Sequence, residues 1–235
     1  MQLFMEKDKA EKITGQFLTN LAGNKYNNLI AKDCSLYLPL VLYEFAEKKY
    51  LYFQKFYFHE SRLKDRIKTI LQAKSTLKLD KKQQINLLNE IMTEPLSLRV
   101  SKNGAPLIKD PHQINAIKLA LSSQFSIVSG GPGTGKTSLM VNILRCLVRA
   151  RIDTERIDIE KILLAAPTGR AAQRMTETIY GNISTIVNPS HEDIKLLELK
   201  GATLHKILKY QAYKNDFHLK YTKPLKATFI IVDEV

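Results

Sequence analysis

The sequence predicts an α/β fold: a doubly wound parallel sheet with helices on both faces, preceded by a small mixed, mainly helical N-terminal domain. Three observations predict it. The glycine-rich run Gly130-Gly131-Pro132-Gly133-Thr134-Gly135-Lys136-Thr137 lies between a β-favouring segment and an apolar helical stripe. A β-branched and aromatic run from Thr228 to Val232 ends in two carboxylates, Asp233 and Glu234. Between them, Lys161 to Ala166 is a third short apolar run, and a polar turn and a basic helix start follow it.

In chain order, Leu3 to Leu21 is charged and sparsely apolar, as a surface helix would be. Lys49 to Phe58 concentrates aromatic and β-favouring residues, which predicts two short strands or a hairpin. Those rings would form either the core of the small domain or a platform on which bases stack. Leu63, Ile67, Ile70 and Leu71 recur at helical spacing, and Ile85, Leu88, Ile91 and Met92 do so again after a capping residue at Asp80. Pro95, Gly104, Pro106 and Pro111 then punctuate the stretch from Glu94 to Asp110, and the boundary is placed there, with domains at 1–100 and 101–235.

The larger domain opens with Asp110 as a helix cap and Pro111 in the first turn. Gln113 either faces solvent or reads an adenine edge, since its amide offers a donor and an acceptor side by side. Phe125 to Ser129 is expected to be a short buried strand feeding the glycine loop, and Leu139, Met140, Ile143, Leu144, Leu147 and Val148 mark the helix after it. The loop matches G-x-x-x-x-G-K-[ST]. Its glycines let successive N–H groups turn inward on phosphates, Lys136 reaches the β- and γ-phosphates, and Thr137 holds Mg²⁺. A glycine turn that merely contained a lysine would have no reason to sit between strand and helix.

After the strand at Lys161 to Ala166 comes Pro167-Thr168-Gly169-Arg170-Ala171-Ala172-Gln173-Arg174. This is either a corner that binds a nucleic-acid backbone at a helix N-terminus or a plain connection with exposed arginines. Ala202 to Leu208 begins a short helix with Thr203 as its cap. The run from Thr228 suits a central parallel strand buried on both faces. At its carboxyl end Asp233 would face Mg²⁺ through water and Glu234 would polarise an attacking water; a solvated strand end is the alternative.

Composition bounds these readings. With 235 residues, 44% of them hydrophobic, there is chain enough for one sizeable core, or for one core and a satellite domain. No apolar stretch is long enough to span a membrane, and Met1 to Lys12 has no signal-like region, so neither membrane insertion nor export is expected. Cys34 and Cys146 form no metal spacing and no disulfide framework; Cys146 reads as a buried thiol in a reducing cytoplasm. The histidines include no H-E-x-x-H pair, so no metal is expected beyond Mg²⁺ brought by ATP. The net charge of +13 points to a polyanionic partner, nucleic acid first. Lysines solvating helix faces, or docking onto an acidic protein, would give the same balance.

The motifs GGPGTGKT, APTGRAAQRMTE, ATLHKIL and IIVDE occur in the order and spacing of the RecD family, the alpha subunits of exodeoxyribonuclease V and superfamily 1 DNA helicases. Upstream, Leu38-Pro39-Leu40 and the stretch from Tyr50 to Ile67 resemble that family's N-terminal domain. The resemblance implies a P-loop NTPase (RecA-like) lobe, ATP and Mg²⁺ as cofactors, and single-stranded DNA at duplex ends as substrate. It further implies 5′ to 3′ movement and RecB-like and RecC-like partner subunits, one of which the N-terminal domain contacts. By it, Gln113 recognises adenine, Gly130 to Thr137 hold the phosphates and Mg²⁺, Asp233 holds Mg²⁺ and Glu234 activates water. Pro167, Thr168 and Arg170 fall on one strand-contact motif, Thr203 and His205 on another; for His205 a local hydrogen bond at a helix start is the alternative.

The chain stops before the first motor lobe is finished and before a second begins, so slow hydrolysis and no unwinding are expected of it alone. The competing class is an ATP-binding module or switch that docks a partner without translocating. An RNA helicase is a more distant one.

Overall fold

The computed structural model describes residues 12, 15–17, 19–21, 28–33, 35–73, 79–93, 110–131, 133–152, 155–186, 188–214, 216–218 and 224–234. Two compact units divide it, Met1–Gln72 and Ala73–Val235. The segment in which the sequence reading put its boundary, residues 94–109, lies outside the described residues, as does most of the surface helix expected from Leu3 to Leu21.

In the first unit, strand β1 (Ile30–Ala31) runs parallel to β2 (Leu40–Phe45), which turns back as β3 (Lys48–Phe53). Phe45 pairs with Lys48, leaving Ala46 and Glu47 as a two-residue turn with φ of 48° and 64°. That backbone matches the strand twist but usually recruits Asn-Gly. Helix α1 (Gln54–Gln72) starts directly after β3, so Phe56, Tyr57 and Phe58, expected in a strand, are helical. Tyr57 packs its ring 5.5 Å from Tyr43 and 5.4 Å from Tyr52, joining helix to hairpin. Within the aromatic run Phe53 and Phe56 stand more than 60% exposed while Tyr52 and Tyr57 are half-buried, so its rings are only partly covered.

The second unit opens with α2 (Lys81–Thr93). Asp80 accepts the Gln83 backbone N–H at 2.7 Å while the Gln83 side chain accepts the Asp80 N–H at 2.9 Å, a reciprocal cap. The helix places Leu87, Leu88 and Ile91 in the core, and the expected Ile85 faces out. Helix α3 (Pro111–Ser122) has Asp110 as its cap, accepting from His112 N–H at 2.8 Å. Helix α4 (Lys136–Arg149) is the centre of the unit, packed by α2, α3 and two later helices. The ribbon β4 (Arg151–Ile152) and β5 (Glu155–Arg156) follows, then strand β6 (Ile162–Ala166) and helix α5 (Gly169–Ile183). Helix α6 (His191–Lys195), β7 (Gly201–Thr203), α7 (Leu204–Ile207), the pair β8 (Tyr210–Gln211) and β9 (Asp216–Phe217), and β10 (Phe229–Val232) complete it.

The main sheet is parallel throughout, in the order β10-β6-β7, with Val232 beside Ala165 and Ala166 beside Thr203. Two expectations are corrected here. Strand β10 was expected to be central and buried on both faces; among the described residues it pairs with β6 alone, and Ile230 and Val232 are 49% and 40% exposed. Phe125 to Ser129 was expected to be a buried strand, yet it forms no ladder and Ile127 is 79% exposed. Local β-preference becomes a strand only when an edge is there to pair with, and this five-residue segment takes none.

Helix α4 shows what periodicity missed. Its expected stripe is in the core except for Ile143, which is half-buried, and Cys146 beside the stripe is buried too; so are Asn142, Arg145 and Arg149 on the other side. The two arginines are buried because both reach Asp193, itself fully buried on α6. Arg145 donates from Nε at 2.9 Å and Nη2 at 3.0 Å; Arg149 donates from Nη1 at 2.7 Å and Nη2 at 2.9 Å. Burial alone would raise the Asp193 pKa, but the hydrogen bonds from Arg149 and Arg145 outweigh it and hold the carboxyl well below the usual carboxylate range. Cys146, completely buried as expected, has its thiol pushed up to about 12 by burial, with the nearby Arg149 and Arg145 opposing it only in part. Cys34 lies outside the described residues.

Candidate functional site

The glycine loop ends on helix α4, whose first residue is Lys136. Gly133 and Gly135 have φ of 75° and 78°, a left-handed backbone that a side chain would strain, and Gly135 caps the helix in that conformation. At Gly130 an added methyl would meet Thr134 Oγ1 at 2.7 Å. Thr134 Oγ1 donates to the Gly131 carbonyl at 2.9 Å, and Lys136 Nζ donates to the carbonyls of Gly130 and Gly131 at 2.5 and 2.7 Å. The lysine thus folds back over its own loop, its charge held by carbonyl dipoles. Pro132 lies outside the described residues.

Gln113 is not a solvent-facing residue. It is buried on α3 and its Nε2 lies 3.4 Å from the Thr134 carbonyl, so the side chain points at the loop. Helix α3 therefore braces the loop through one amide. Thr137 follows Lys136 in the first turn of α4 and is exposed.

The carboxylates expected to complete the site lie at the end of β10. Asp233 N–H donates to the Ala165 carbonyl at 3.0 Å, continuing the ladder one residue past the strand. Glu234 then adopts φ of 57°, and its N–H donates to Asp233 Oδ1 at 3.0 Å. Glu234 Oε1 lies 3.7 Å from Arg174 Nη1 on α5. The bonds of Asp233 and Glu234 run to β6, to each other and to α5; those of Lys136 run to its own loop.

Strand β6 leads into α5 through Pro167 and Thr168, both exposed. Thr168 caps the helix by accepting from Ala171 N–H at 3.2 Å, which leaves Arg170 exposed on the first turn. Strand β7 leads into α7 in the same manner, with Thr203 accepting from Lys206 N–H at 3.2 Å. Between α5 and the β7–α7 corner lies a groove of about 490 Å³, lined by Gln173, Thr176, Glu177, Lys200, Thr203 and Lys206. The structure therefore brings Thr203 alongside the α5 corner, together with two lysines and a glutamine that the sequence reading did not single out. Lys206 stands inside the ATLHKIL motif and could have been found there; Lys200 had no local signal. His205 packs its ring 5.2 Å from Tyr210 and 5.9 Å from Phe217, so much of its surroundings are local and aromatic.

Among the described residues no cluster of three or more histidine, cysteine or acidic side chains could hold a metal, and no helix is long and apolar enough to cross a membrane.

Residues 113–235 match the AAA domain family. Over 123 residues the chain is 36% identical to RecBCD enzyme subunit RecD of Haemophilus influenzae, a stretch covering 51% of this chain and 18% of that protein. It is 34% identical over 96 residues to the subunit of the same name from Mycobacterium tuberculosis, covering 41% of this chain and 16% of the relative. Along 197 residues, 84% of this chain and 28% of the relative, it is 26% identical to RecBCD enzyme subunit RecD of Buchnera aphidicola subsp. Acyrthosiphon pisum. Each matched stretch spans less than a third of the relative's own length.

Proposed function

Because the chain belongs to the AAA domain family and is RecD-like over the stretches it matches, we propose that it forms the nucleotide-binding part of an ATP-dependent DNA helicase subunit. On this reading the subunit moves 5′ to 3′ on one strand within an exodeoxyribonuclease V-type complex, in the cytoplasm, and serves double-strand break repair by homologous recombination. RecB-like and RecC-like chains are its partners, with the N-terminal unit the docking part.

The observation that supports this best is the loop itself. Left-handed glycines at 133 and 135 lead into the N-terminal turn of the helix beginning at Lys136, and a helix start of that kind, with its first N–H groups unbonded within the helix, suits a phosphate. Lys136 exchanges the carbonyls of Gly130 and Gly131 for β- and γ-phosphate oxygens, and Gly130 to Thr137 follow the phosphate chain. Gln113, already aimed at the loop, takes the adenine edge. Thr137 and Asp233 offer a hydroxyl and a carboxylate, the hard oxygen donors that suit Mg²⁺. When bound, Mg²⁺ neutralises charge on the β- and γ-phosphates. Glu234 orients the attacking water. Pro167, Thr168 and Arg170, with Thr203 and His205, contact a single strand, whose phosphates the Lys200 and Lys206 groove would also attract.

The test is ATP turnover by the full-length protein, alone and with single-stranded DNA at fixed low salt. DNA should accelerate the wild type, and Lys136→Ala should lower the accelerated rate by at least ~10²-fold, the usual cost of losing a transition-state charge partner. Turnover indifferent to DNA, or a Lys136→Ala protein that still repairs DNA, would favour the non-translocating switch instead.

A further inference from the structure

Arg174 stands between two parts of the proposed site. Arg170 and Arg174 are four residues apart on α5, hence neighbours on one helix face, and both are exposed. Arg170 sits at the corner proposed to meet the strand. Arg174, one turn further on, lies 3.7 Å from Glu234 across the sheet edge. The pairing follows from the fold: β10 lies beside β6 in register, Asp233 bonds to Ala165, and β6 leads straight into α5, so the end of β10 abuts the first turns of that helix. The left-handed turn at Glu234, stapled by its N–H to Asp233 Oδ1, fixes the backbone from which the carboxylate reaches α5.

We infer that Arg174 is a positioning residue that couples nucleic-acid occupancy of the α5 corner to the state of Glu234. Without nucleic acid its guanidinium pairs with Glu234 and competes for the carboxylate with the water it would orient. A phosphodiester lying along Arg170 draws Arg174 onto its own oxygens and leaves Glu234 free to orient the nucleophile. The pair is suited to this because it is long and both side chains are more than half exposed, so it is weakly held. Phosphate offers a guanidinium a shorter, two-pronged alternative. This rests on the reading of Glu234 as the group that orients water.

Coupling is reciprocal, so whatever releases Arg174 from Glu234 must tighten nucleic-acid binding by the same factor. The experiment is therefore a binding cycle that needs no turnover: the affinity of the protein for a fluorescent oligothymidylate, without nucleotide, at low salt. Glu234→Gln should bind about two- to fivefold more tightly than the wild type, the factor an exposed ion pair is worth. Arg174→Ala should bind more weakly, and adding Glu234→Gln to it should change nothing further. Asp233→Asn removes the same charge without touching Arg174 and should lack the gain; Arg174→Lys, which keeps a cation, should recover part of it. In the full-length protein Arg174→Ala should raise ATP turnover without DNA and shrink the stimulation by DNA, at unchanged KM for ATP.

If Glu234→Gln leaves affinity unchanged, or tightens it equally with Arg174→Ala or Asp233→Asn, the coupling is wrong while strand binding stands. If the wild type does not bind the oligonucleotide at all, the strand-contact reading falls and the coupling with it.

Discussion

Replacing Asp193 by alanine should be among the most damaging single changes in the second unit. The carboxylate is fully buried and accepts four N–H groups from two guanidiniums, Arg145 at 2.9 and 3.0 Å and Arg149 at 2.7 and 2.9 Å. Arg145 is likewise fully buried, and apart from Asp193 it reaches the Ile91 carbonyl at 3.3 Å. Deleting the anion leaves a charge in the core opposite a cavity, a loss of about 3–5 kcal/mol. Against a total stability of about 5–15 kcal/mol, that lowers the melting temperature by roughly 6–20 °C. Glu90→Ala is the internal control: Glu90 lies 3.3 Å from Arg149 but its side chain is 59% exposed. Such a pair is worth at most about 1 kcal/mol. Urea denaturation of the three proteins, followed by circular dichroism, measures both. The pH dependence adds a second reading. Because the folded pKa of Asp193 lies below its unfolded value, its stabilisation is complete above the unfolded value, about 4, and is lost as pH falls through the folded one. The wild type should therefore lose stability more steeply in acid than Asp193→Ala. A loss below about 1 kcal/mol, or one matching Glu90→Ala, would refute the view that this network holds α4 to α6.

Two further outcomes follow from packing. A methyl at Gly201 would run into the Ala172 carbonyl oxygen of α5, and since the obstacle is backbone, β7 must move; Gly201→Ala should cost about 1–3 kcal/mol by thermal melting. Gly181, late in the same helix with open space around it, should instead gain up to about 1 kcal/mol as alanine. Cys146 in a Cys34→Ser background should stay unreacted with a thiol reagent at pH 8 and label only on unfolding, since its thiol is fully buried and pushed up to about 12.

What could be read in the sequence was whatever depends on local backbone chemistry. The loop glycines, the caps at Asp80, Asp110 and Thr203, and the strand from Ile162 to Ala166 all stand where short-range rules put them. What escaped depends on neighbours far along the chain. Arg145 and Arg149 look like a solvated face until Asp193, more than forty residues later, is brought against them. Ile127 and Ile230 look like core residues, and their exposure follows from which strands find a partner. The turn at Ala46-Glu47 has no glycine or asparagine to announce it. In the candidate site, Gln113 and the loop were legible as motif, whereas the Arg174 contact with Glu234 requires β10 to lie beside β6, which no spacing reveals.

The order of strands across the sheet also sets an order in time. Strand β10 flanks β6 although α5, α6, β7 and α7 all come between them in the chain. During synthesis β6 and β7 can close their short crossover while the residues of β10 are still being added, so β10 joins a half-built sheet from outside. The longer loop it closes makes that docking the slower step. Asp233 and Glu234 arrive with it, and a ribosome-bound intermediate would own a finished phosphate loop before it owned the acids at the end of β10.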